Sequence, residues 1–517
     1  MRSWLKIFLF LSVVGLVSCT PDNVIPPEEK QGTSIESFSL VDDHGTEYKS
    51  FLIRDSIIHI QVPRETSLVH LKPSLTFDGA QVFTDDGRDI TETSQPSDFS
   101  DWTAPHKYLV VSSDGHKQEW TVIMYVLPIL IVDTPEKKPI DSKEVRVDSC
   151  RVSLIDEEGA SVDLGTAGIR GRGNSTWKQT KKPYNVKFDK KQSVLGMPSS
   201  KHWILLANPH YDRTQLHNAT GFEIARNTDS PWVQKGEFVE LILNGVHKGL
   251  YYICEKVRVE KGKIDIGTEI NEVGDNGGGY LLESFVVGEN AEAMTLPEYC
   301  FTTDCFNITG PGWARRELGW EVKTPDETTE NLRSIIRSDL NFIESLLASE
   351  ETIINGEYRK FFDISTAADW WLVQEIAVNM EASKSKNIFM YKKSNGKLCV
   401  GPPWDFDAYS FGQYGVSCFL CKEDALYYKQ LFKDPEFIAC VKEKWSRYKP
   451  KWEVNIPLFV NNTFNRIYRS AKRNEVMWPD WLELNKYPES SYDDIVNEMK
   501  EFFFTQLNWM DEQINNM

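Results

Sequence analysis

The 517-residue sequence has no excess of basic residues, no internal repeat and no patterned histidines. It contains 58 Lys and Arg against 76 Asp and Glu, a formal net charge of −18, which argues against the basic surface of a duplex nucleic-acid-binding protein. No apolar run after residue 16 is long enough to cross a bilayer. The histidines lack the HxxxH spacing of zinc-binding helices. What remains is an acidic chain too long for one ordinary hydrophobic core, so two or more domains are expected.

The first residues have the layout of a secretory signal. Arg2 and Lys6 precede or flank a ten-residue apolar run, Ile7 to Leu16, which is too short for a transmembrane helix. The following Leu16-Val17-Ser18-Cys19 resembles a bacterial lipobox, so residues 1–19 are predicted to be a lipoprotein signal with Cys19 lipidated. An ordinary cleaved signal is the alternative. Thr20 after the cysteine favours an outer-membrane lipoprotein, on the periplasmic face or the cell surface, and residues 20–33 are predicted to form a flexible tether.

The residue pattern of residues 34–127 is that of a small all-β module. Ile58 to Val62 and Trp120 to Met124 alternate with period two, and Ser113-Asp114-Gly115 is typical of a tight turn. A stretch of about 90 residues with turns every 8–15 residues favours a β-sandwich. The segment resembles the immunoglobulin-like spacers of Bacteroidetes surface lipoproteins, which implies a positioning or glycan-binding role.

Residues 128–517 change from strand patterns to helix patterns along the chain. The predicted strands come first: Ile129–Val132, Tyr184–Phe188, Trp203–Ala207, Phe238–Leu243 and Leu250–Glu255. The predicted helices follow: Leu332–Leu347, Asp363–Val378 with Asp363 or Ser365 as N-cap, Pro435–Tyr448, Phe459–Arg473 and Tyr492–Met510. A β-rich first half and an α-rich second half predict a two-lobed α+β domain with a cleft between the lobes.

The cysteines are few for a chain of this length. Apart from Cys19, Cys300 with Cys305 and Cys418 with Cys421 are close pairs for which an oxidising compartment makes local disulfides plausible. A zinc site made from the two pairs is the weaker alternative, because no ligand histidine lies beside them. The remaining four are expected to be buried thiols: Cys150, Cys254, Cys399 and Cys440.

The segment Gly401-Pro402-Pro403-Trp404-Asp405-Phe406-Asp407 has the clearest chemical signature. Two carboxylates two residues apart repel each other, and burial beside Trp404 and Phe406 would raise both pKa values. Such a cost is most readily tolerated where a divalent cation or a proton transfer offsets it. For an isolated motif of this kind, an exposed loop with an apolar anchor is the alternative.

A second candidate site is the glycine-rich basic turn from Gly168 to Trp177. Its glycines allow backbone N–H groups close to an anion, and Arg170 and Arg172 supply fixed positive charge. A structural hairpin is the alternative. If Tyr184 to Phe188 is a strand, Asn185 and Lys187 share the face opposite Tyr184, Val186 and Phe188, and Lys187 would point toward a cleft.

These blocks together resemble the CotH kinase family, named after a spore-coat protein. The resemblance covers about residues 128 to 415, with the blocks in the family's order. They are RGRGNSTW (170–177), KKPYNVKF (181–188), Trp203–Asn208, Asp212, Glu240–Gly245, Gly249–Tyr251, Glu255, Gly279–Glu283, Lys323–Pro325, Asn387 and Pro403–Asp407. The family implies an atypical protein-kinase-like fold that uses ATP.

The resemblance assigns roles to individual residues. Asp405, with Asp407 beside it, resembles the metal-binding aspartate of kinases, and Asn387 resembles the asparagine that also holds Mg²⁺ (or Mn²⁺). The turn containing Arg170, Arg172, Asn174 and Ser175 would cover the ATP phosphates. Lys187, or less favourably Lys182, would contact them. The implied reaction transfers the γ-phosphoryl group to a Ser, Thr or other hydroxyl acceptor, mostly by positioning and charge neutralisation.

Two departures from the family pattern weaken the inference of activity. Glu381 stands where an aspartate is usual, and its extra methylene displaces the carboxylate by about 1 Å, enough for a rate loss of ~10²-fold. His217 replaces an arginine in Leu216-His217-Asn218. Extracytoplasmic ATP is also scarce.

The first prediction is a kinase in which Glu381 positions or deprotonates the acceptor. The alternatives are a non-catalytic surface-binding or adhesion protein, as some fungal members of the family are, and a hydrolase using Asp405 and Glu381.

Overall fold

The computed structural model describes residues 32–209, 212–272, 277–287, 296–305, 317–412, 415–479 and 491–517. The predicted signal, Cys19, nearly all of the predicted tether and His210 lie outside the described residues. Within them, no helix combines the length and the apolar character required to cross a membrane.

Seven strands form one connected sheet at the start of the described chain. They are β1 (Ile35–Val41), β2 (Glu47–Arg54), β3 (Ile57–Gln61), β4 (Lys72–Phe77), β5 (Gln81–Thr84), β6 (His106–Val111) and β7 (Lys117–Tyr125). Their order is β4-β1-β2-β3-β7-β6-β5, and β3 and β7 are the parallel neighbours. Alternating burial along β7 places Trp120, Val122 and Met124 in the core. The β character of this module is confirmed, and the immunoglobulin-like sandwich stays a prediction.

The next seven strands close into a barrel. They are β8 (Ile129–Asp133), β9 (Val147–Ile155), β10 (Ser161–Gly171), β11 (Tyr184–Gln192), β12 (Ser200–Leu206), β13 (Gly236–Leu243) and β14 (Val246–Glu255). Their order around the barrel is β10-β11-β12-β14-β13-β8-β9. Side chains such as Val186, Trp203, Val239 and Ile253 fill the interior. Because successive strand residues point to opposite faces, Asn185, Lys187, Cys254 and Lys256 belong to the outer face, as the period-two pattern predicts for β11.

The remaining chain forms a second sheet and most of the helices. The sheet contains β15 (Tyr280–Val286), β16 (Cys300–Thr302), β17 (Leu318–Thr324), β18 (Phe389–Lys392) and β19 (Leu398–Val400), in the order β16-β17-β15-β18-β19. The helices are α1 (Ser175–Lys178), α2 (His217–Arg226), α3 (Glu330–Ala348), α4 (Glu350–Asn355), α5 (Ile364–Ala377), α6 (Met380–Ser383), α7 (Cys421–Asp424), α8 (Tyr428–Leu431), α9 (Pro435–Met477) and α10 (Tyr492–Asn515). Short 3₁₀ turns cover Pro135–Lys137 and Glu357–Lys360. The α+β class is confirmed, with Asp363 as the N-cap of α5.

One helix prediction is wrong. The predicted helices Pro435–Tyr448 and Phe459–Arg473 are a single 43-residue helix, α9, that continues through Pro450 and Pro457. A proline inside a helix costs about 3 kcal/mol through its missing N–H and its ring clash. The buried face of α9, which includes Trp445 and Trp452, packs against α2, α5 and α10 and offsets that cost.

The eight described cysteines are free thiols. The two disulfides considered from the sequence, Cys300 with Cys305 and Cys418 with Cys421, are therefore not formed in this structure. Cys150, Cys254 and Cys399 are buried as predicted, whereas Cys440 is only partly buried. The zinc alternative also receives no support, because the described residues contain no group of three or more His, Cys, Asp or Glu arranged to hold a metal.

Candidate functional site

Two asparagines hold Asp405 in place. Asn387 Nδ2 donates to Asp405 Oδ2 at 2.5 Å, and Asn379 Nδ2 donates to the Asp405 backbone carbonyl at 2.9 Å. Asn379 is also the N-cap of α6, where its Oδ1 accepts from Glu381 N at 3.1 Å. The structure thus brings together Asp405, Asn387 and the turn containing Glu381, three of the residues proposed from the sequence.

Helix α2 anchors the other side of this loop. Asn218 Oδ1 accepts a hydrogen bond from Phe406 N at 3.0 Å. The Phe406 side chain is fully buried and packs so closely on Gly221 that a Cβ there would lie 2.4 Å from its ring. Trp404 stacks on Phe222 with a centroid separation of 5.5 Å. Sequence reasoning missed this support, because the contacting residues are almost 190 positions apart.

The start of α2 is organised by a buried aspartate. Asp212 accepts from the backbone N–H groups of Leu216 at 3.3 Å and His217 at 2.9 Å. His217 is buried against Phe411 at 5.2 Å and lies 3.6 Å from Asp212. The His217 ring is therefore packed among the residues that support the loop.

Nearby positive charge only partly balances the carboxyl groups of Asp405 and Asp407. Burial, reinforced by the charge of Glu381, raises the pKa of Asp405 to about 7. Burial, together with the charges of Asp405, Glu381 and Asp212, raises the pKa of Asp407 well above its ordinary value. Arg172 lowers both pKa values only in part. A site of this kind gains stability when a cation binds to it.

Positive φ angles cluster in the same segments. Val378, Asn387, Asp405, Tyr409 and Phe411 have φ between 48° and 67°. This region is unfavourable for residues with a side chain, most of all for a β-branched one such as Val378. Such conformations persist only where the surrounding structure enforces them, and they are frequent at functional sites.

The glycine-rich turn places one of its two arginines beside the carboxylates. The Arg172 guanidinium lies over the Trp404 ring at 5.7 Å, next to Asp405 in the chain. Arg170 pairs in register with Asn185, and its Nε is a buried atom without a hydrogen-bond partner among the described residues. Asn174 and Ser175 are exposed at the start of the four-residue α1. Their proposed phosphate contacts stay predictions.

The two lysines proposed from the sequence, Lys182 and Lys187, lie on the barrel side of the structure, and their proposed phosphate contacts stay predictions. Lys182 Nζ donates to the Trp177 carbonyl at 2.7 Å and lies over its indole at 5.1 Å, within its own turn. Lys187 is exposed and pairs with Gly168, four residues before Arg172, which separates it from that arginine by about 13 Å along the strand. No hydrogen bond or ion pair given for either lysine, within the described residues, reaches Asp405.

Two lysines that sequence reasoning missed have charged neighbours in or beside the candidate site. Lys386 Nζ is 3.3 Å from Glu381 Oε1, and its charge lowers the pKa of Asp405. Lys256 follows β14 directly. Burial, with Lys323, Arg258 and Arg170 nearby, lowers its pKa to about 8, while Glu283 opposes the shift. The alternation of β14, which places Cys254 and Lys256 on the outer face, was the available signal for Lys256.

The donor set fits a hard divalent cation. Asp405, Asp407 and Asn387 offer carboxylate and amide oxygens, which Mg²⁺ prefers, and water and phosphate oxygens would complete six-coordination. The described residues hold no cluster of three His, Cys, Asp or Glu for a metal. Most ligands would therefore have to come from outside the protein, as is usual for Mg²⁺ at phosphoryl-transfer sites.

Two of the solved structures that match are each similar to part of this chain. A protein from Bacteroides fragilis NCTC 9343, described as a "putative secreted protein", is 20% identical; the match covers 19% of this chain and 96% of that one, with a TM-score of 0.14. A "putative glycoside hydrolase" from Bacteroides thetaiotaomicron VPI-5482 is 13% identical; that match covers 61% of this chain and 89% of that one, with a TM-score of 0.16. No curated protein matches the chain.

The family comparison covers most of the chain. The model of the family described as "CotH kinase protein" matches residues 169–510, from the end of β10 to within α10. The matched segment includes Arg170, Arg172, Glu381, Asn387 and the loop from Trp404 to Asp407. The chain belongs to the CotH kinase protein family.

Proposed function

We propose that this protein transfers the γ-phosphoryl group of ATP to a hydroxyl acceptor such as Ser or Thr, with Mg²⁺ or Mn²⁺. The observation that carries the proposal is the Asp405–Asn387 pair beside the raised-pKa carboxyl of Asp407, facing the arginine of the glycine-rich turn. A divalent cation would offset the repulsion between these buried carboxylates. The match to a kinase family supports the proposal that ATP would accompany such a cation.

The cleft we propose lies between two lobes arranged as in a kinase. One lobe is the barrel, whose outer face carries Arg170, Arg172 and Lys256. The other is the second sheet with its helices, which carries Asn387 and the loop from Trp404 to Asp407. These three barrel residues form the cationic face of the cleft, with Arg172 at one end and Lys256 at the other. Arg170 lies between them, because it is two residues from Arg172 and close enough to Lys256 to lower the pKa of that lysine. A triphosphate extended along this face would meet positive charge throughout.

Each residue of the site then has a defined task. Asp405, Asp407 and Asn387 would hold the divalent cation, which neutralises charge on the transferred phosphoryl group when bound. Arg172 would contact the terminal phosphate, and Lys256 with Arg170 the inner phosphates, in place of Lys187 and Lys182. Glu381, held by Lys386, would accept a hydrogen bond from the acceptor hydroxyl and orient it.

The ion pair between Glu381 and Lys386 also supports a second candidate function. The Glu381 carboxylate is already engaged by Lys386 Nζ at 3.3 Å, which leaves it less available to the hydroxyl of an acceptor. A protein that binds nucleotide without turnover and acts as a surface-binding scaffold would have this arrangement. Cation-dependent ATP binding, with no ATP consumption over many hours, would favour this second candidate.

The proposal is tested by calorimetric titration of the purified protein with ATP, in the presence and absence of Mg²⁺ or Mn²⁺. We expect binding that requires the cation and that Asp405→Ala weakens at least 100-fold, since it removes the central ligand. Asp43→Ala, at an exposed position in the N-terminal sheet module, is the control and should bind as the unmodified protein does. Absence of binding under every cation would contradict the nucleotide site altogether.

A further inference from the structure

Lys386 links Glu381 to the proposed cation site. Its Nζ lies 3.3 Å from Glu381 Oε1, and the next residue, Asn387, donates a hydrogen bond to Asp405 Oδ2. The backbone supports the same proximity, since Lys386 N donates to the Glu381 carbonyl at 3.4 Å. Because successive Cα atoms are about 3.8 Å apart, the residue that engages Glu381 and the residue that holds Asp405 are direct neighbours.

The charges of these residues act on one another. Burial raises the pKa of Asp405 to about 7, the charge of Glu381 adds to the rise, and Arg172 and Lys386 oppose it. Lys386 therefore influences two carboxyl groups, one by direct pairing and the other through its charge. A charged ligand that enters the site would change which of its neighbours Lys386 prefers.

The pair between Glu381 and Lys386 is within reach of such a ligand. Each of the two side chains is 17% exposed, so their charged ends are not sealed inside the core. Separation of a pair that water reaches costs less than separation of a fully buried one. A ligand that offers Lys386 a stronger acceptor than one carboxylate can therefore open the pair.

A phosphate group is that stronger acceptor once the cation site is filled. A divalent cation held by Asp405 and Asp407 would lie near the Lys386 ammonium, because this ammonium already acts on Asp405. Like charges at such a distance repel. A phosphate oxygen relieves the repulsion, since it can bind the cation and accept a hydrogen bond from the ammonium. Arg172 would contact the same phosphate from the barrel lobe.

We propose that Lys386 exchanges Glu381 for the terminal phosphate of ATP when the nucleotide binds, and so releases Glu381 to the acceptor hydroxyl. Lys386 has this role only if the protein binds ATP as proposed above. Without ATP, Lys386 engages the carboxylate that the acceptor needs. With ATP bound, that carboxylate is available to accept a hydrogen bond from a hydroxyl. The exchange makes the acceptor site depend on the nucleotide, so ATP binds before the acceptor.

Two variants that break the same ion pair distinguish this exchange from a structural role. The measured quantity is the triphosphate preference, the affinity for the β,γ-imido analogue of ATP divided by the affinity for ADP, from calorimetry with Mn²⁺. Lys386→Met removes the phosphate contact, so we expect the preference to fall at least fivefold. Glu381→Gln frees Lys386 for the phosphate, so we expect it to rise at least twofold. Changes in the same direction, or no change in either variant, would overturn the exchange.

The double variant separates the exchange from a general effect of charge. Once Lys386 is replaced by Met, Glu381→Gln has no ammonium to release. We therefore expect Glu381→Gln to leave the triphosphate preference of the Lys386→Met protein unchanged. If the effects of the two substitutions multiply independently instead, Lys386 and Glu381 act separately on the nucleotide, which would overturn the exchange.

Mn²⁺ alone gives a readout that needs no nucleotide. Lys386→Met removes a positive charge beside Asp405, so we expect Mn²⁺ to bind at least threefold more tightly, measured by water-proton relaxation. Lys393→Met is the control for the lost charge. Lys393 is exposed just after β18, and six residues at about 3.3 Å each place it roughly 20 Å along the strand from Asn387. Equal effects of the two lysine substitutions would overturn the placement of Lys386 at the cation site.

The same titrations distinguish failure of the exchange from failure of the proposed function. If the unmodified protein binds neither nucleotide with any cation, the proposed function and the exchange are both overturned. If it binds nucleotide and Lys386→Met keeps the full triphosphate preference, only the exchange is overturned, and the Glu381–Lys386 pair is a structural contact.

Discussion

Two of the places where the described residues bury carboxylates compensate the buried charge differently. Where the N-terminal sheet module, the barrel and α9 meet (the junction), Glu240 is fully buried beside His247 and Arg473; burial alone would raise its pKa, but these neighbours lower it to about 2. Because burial also lowers the pKa of His247, Arg473 is the permanent positive charge at neutral pH. In the cleft, burial and mutual repulsion raise the pKa values of Asp405 and Asp407.

This is the difference between a paired ion cluster and the cation site that we propose. A buried charge with a fixed partner stabilises one arrangement of the chain and needs nothing further. Buried like charges without enough opposite charge destabilise the empty protein, and a ligand of opposite charge can recover that energy on binding. Removing charges from each cluster in turn tests this difference.

The largest effect is expected at the junction. Glu240→Gln leaves Arg473 buried without its counter-charge, so we expect the free energy of unfolding to fall by about 3–5 kcal/mol in urea titrations. Glu237→Gln, on the same strand, is the matched control, since Glu237 pairs with Arg466 at a side chain 37% exposed and should cost under about 1 kcal/mol. Equal losses for the two variants would mean that the junction pairing is not special.

In the cleft, removing a carboxylate charge should stabilise the protein, and the size of this effect should depend on pH. In the native state Asp405 keeps its proton up to about pH 7, whereas the ordinary value is 3.8, so the native state binds more protons in this window. The cation-free protein therefore loses stability as pH rises from about 4 to 7, on the order of 1 kcal/mol per pH unit.

Asp405→Asn removes this titration. The variant should therefore be more stable than the unmodified protein, and the difference in their free energies of unfolding should increase from pH 4 to 7. Saturating Mg²⁺ should reduce this difference, because the cation balances the charge of the Asp405 carboxylate. The Glu240 contribution behaves differently, as it is lost only when pH falls from about 4.5 toward 2. Thermal unfolding at several pH values measures both effects, and a gap that stays constant from pH 4 to 7 would contradict the raised pKa of Asp405.

A smaller effect is expected where α2 supports the cleft loop. Helix propensity alone predicts that Gly221→Ala stabilises the protein by about 1 kcal/mol. The added Cβ would meet the Phe406 ring at 2.4 Å, and overpacking of this kind costs about 1–3 kcal/mol. We expect a net loss of stability together with weaker cation-dependent ATP binding. A more stable variant with unchanged binding would show that Phe406 does not position Asp405.

The smallest predicted effect separates two lysines on the same barrel face. Lys256→Met should weaken ATP binding by about tenfold, since it removes a partly buried cation from the proposed phosphate path. Lys187→Met, the matched control, should change it by less than twofold, because Lys187 is exposed and about 13 Å along the strand from Arg172. The reverse ranking, measured by calorimetry, would restore the assignment made from the sequence.

The outcome for particular elements shows how far sequence reasoning extends. The strands at Tyr184 and Phe238 and the helix capped by Asp363 were predictable, because their periodicity and capping are local properties. The continuity of α9 was not, since its prolines argue locally for a break and only packing against α2, α5 and α10 keeps the helix intact. The closure of seven strands into a barrel depends on pairings such as β8 with β13, more than a hundred residues apart.

The available chemistry can be read from the amino-acid sequence: the paired aspartates, the basic glycine-rich turn, and an order of motifs that identifies the family. Which of these groups come together depends on the folded structure. It brought Arg172 beside the carboxylates, brought Asn218 to the backbone of Phe406, and paired Glu240 with Arg473. The physical reason is that charge compensation depends on distance through the fold, which residue type and local spacing do not specify.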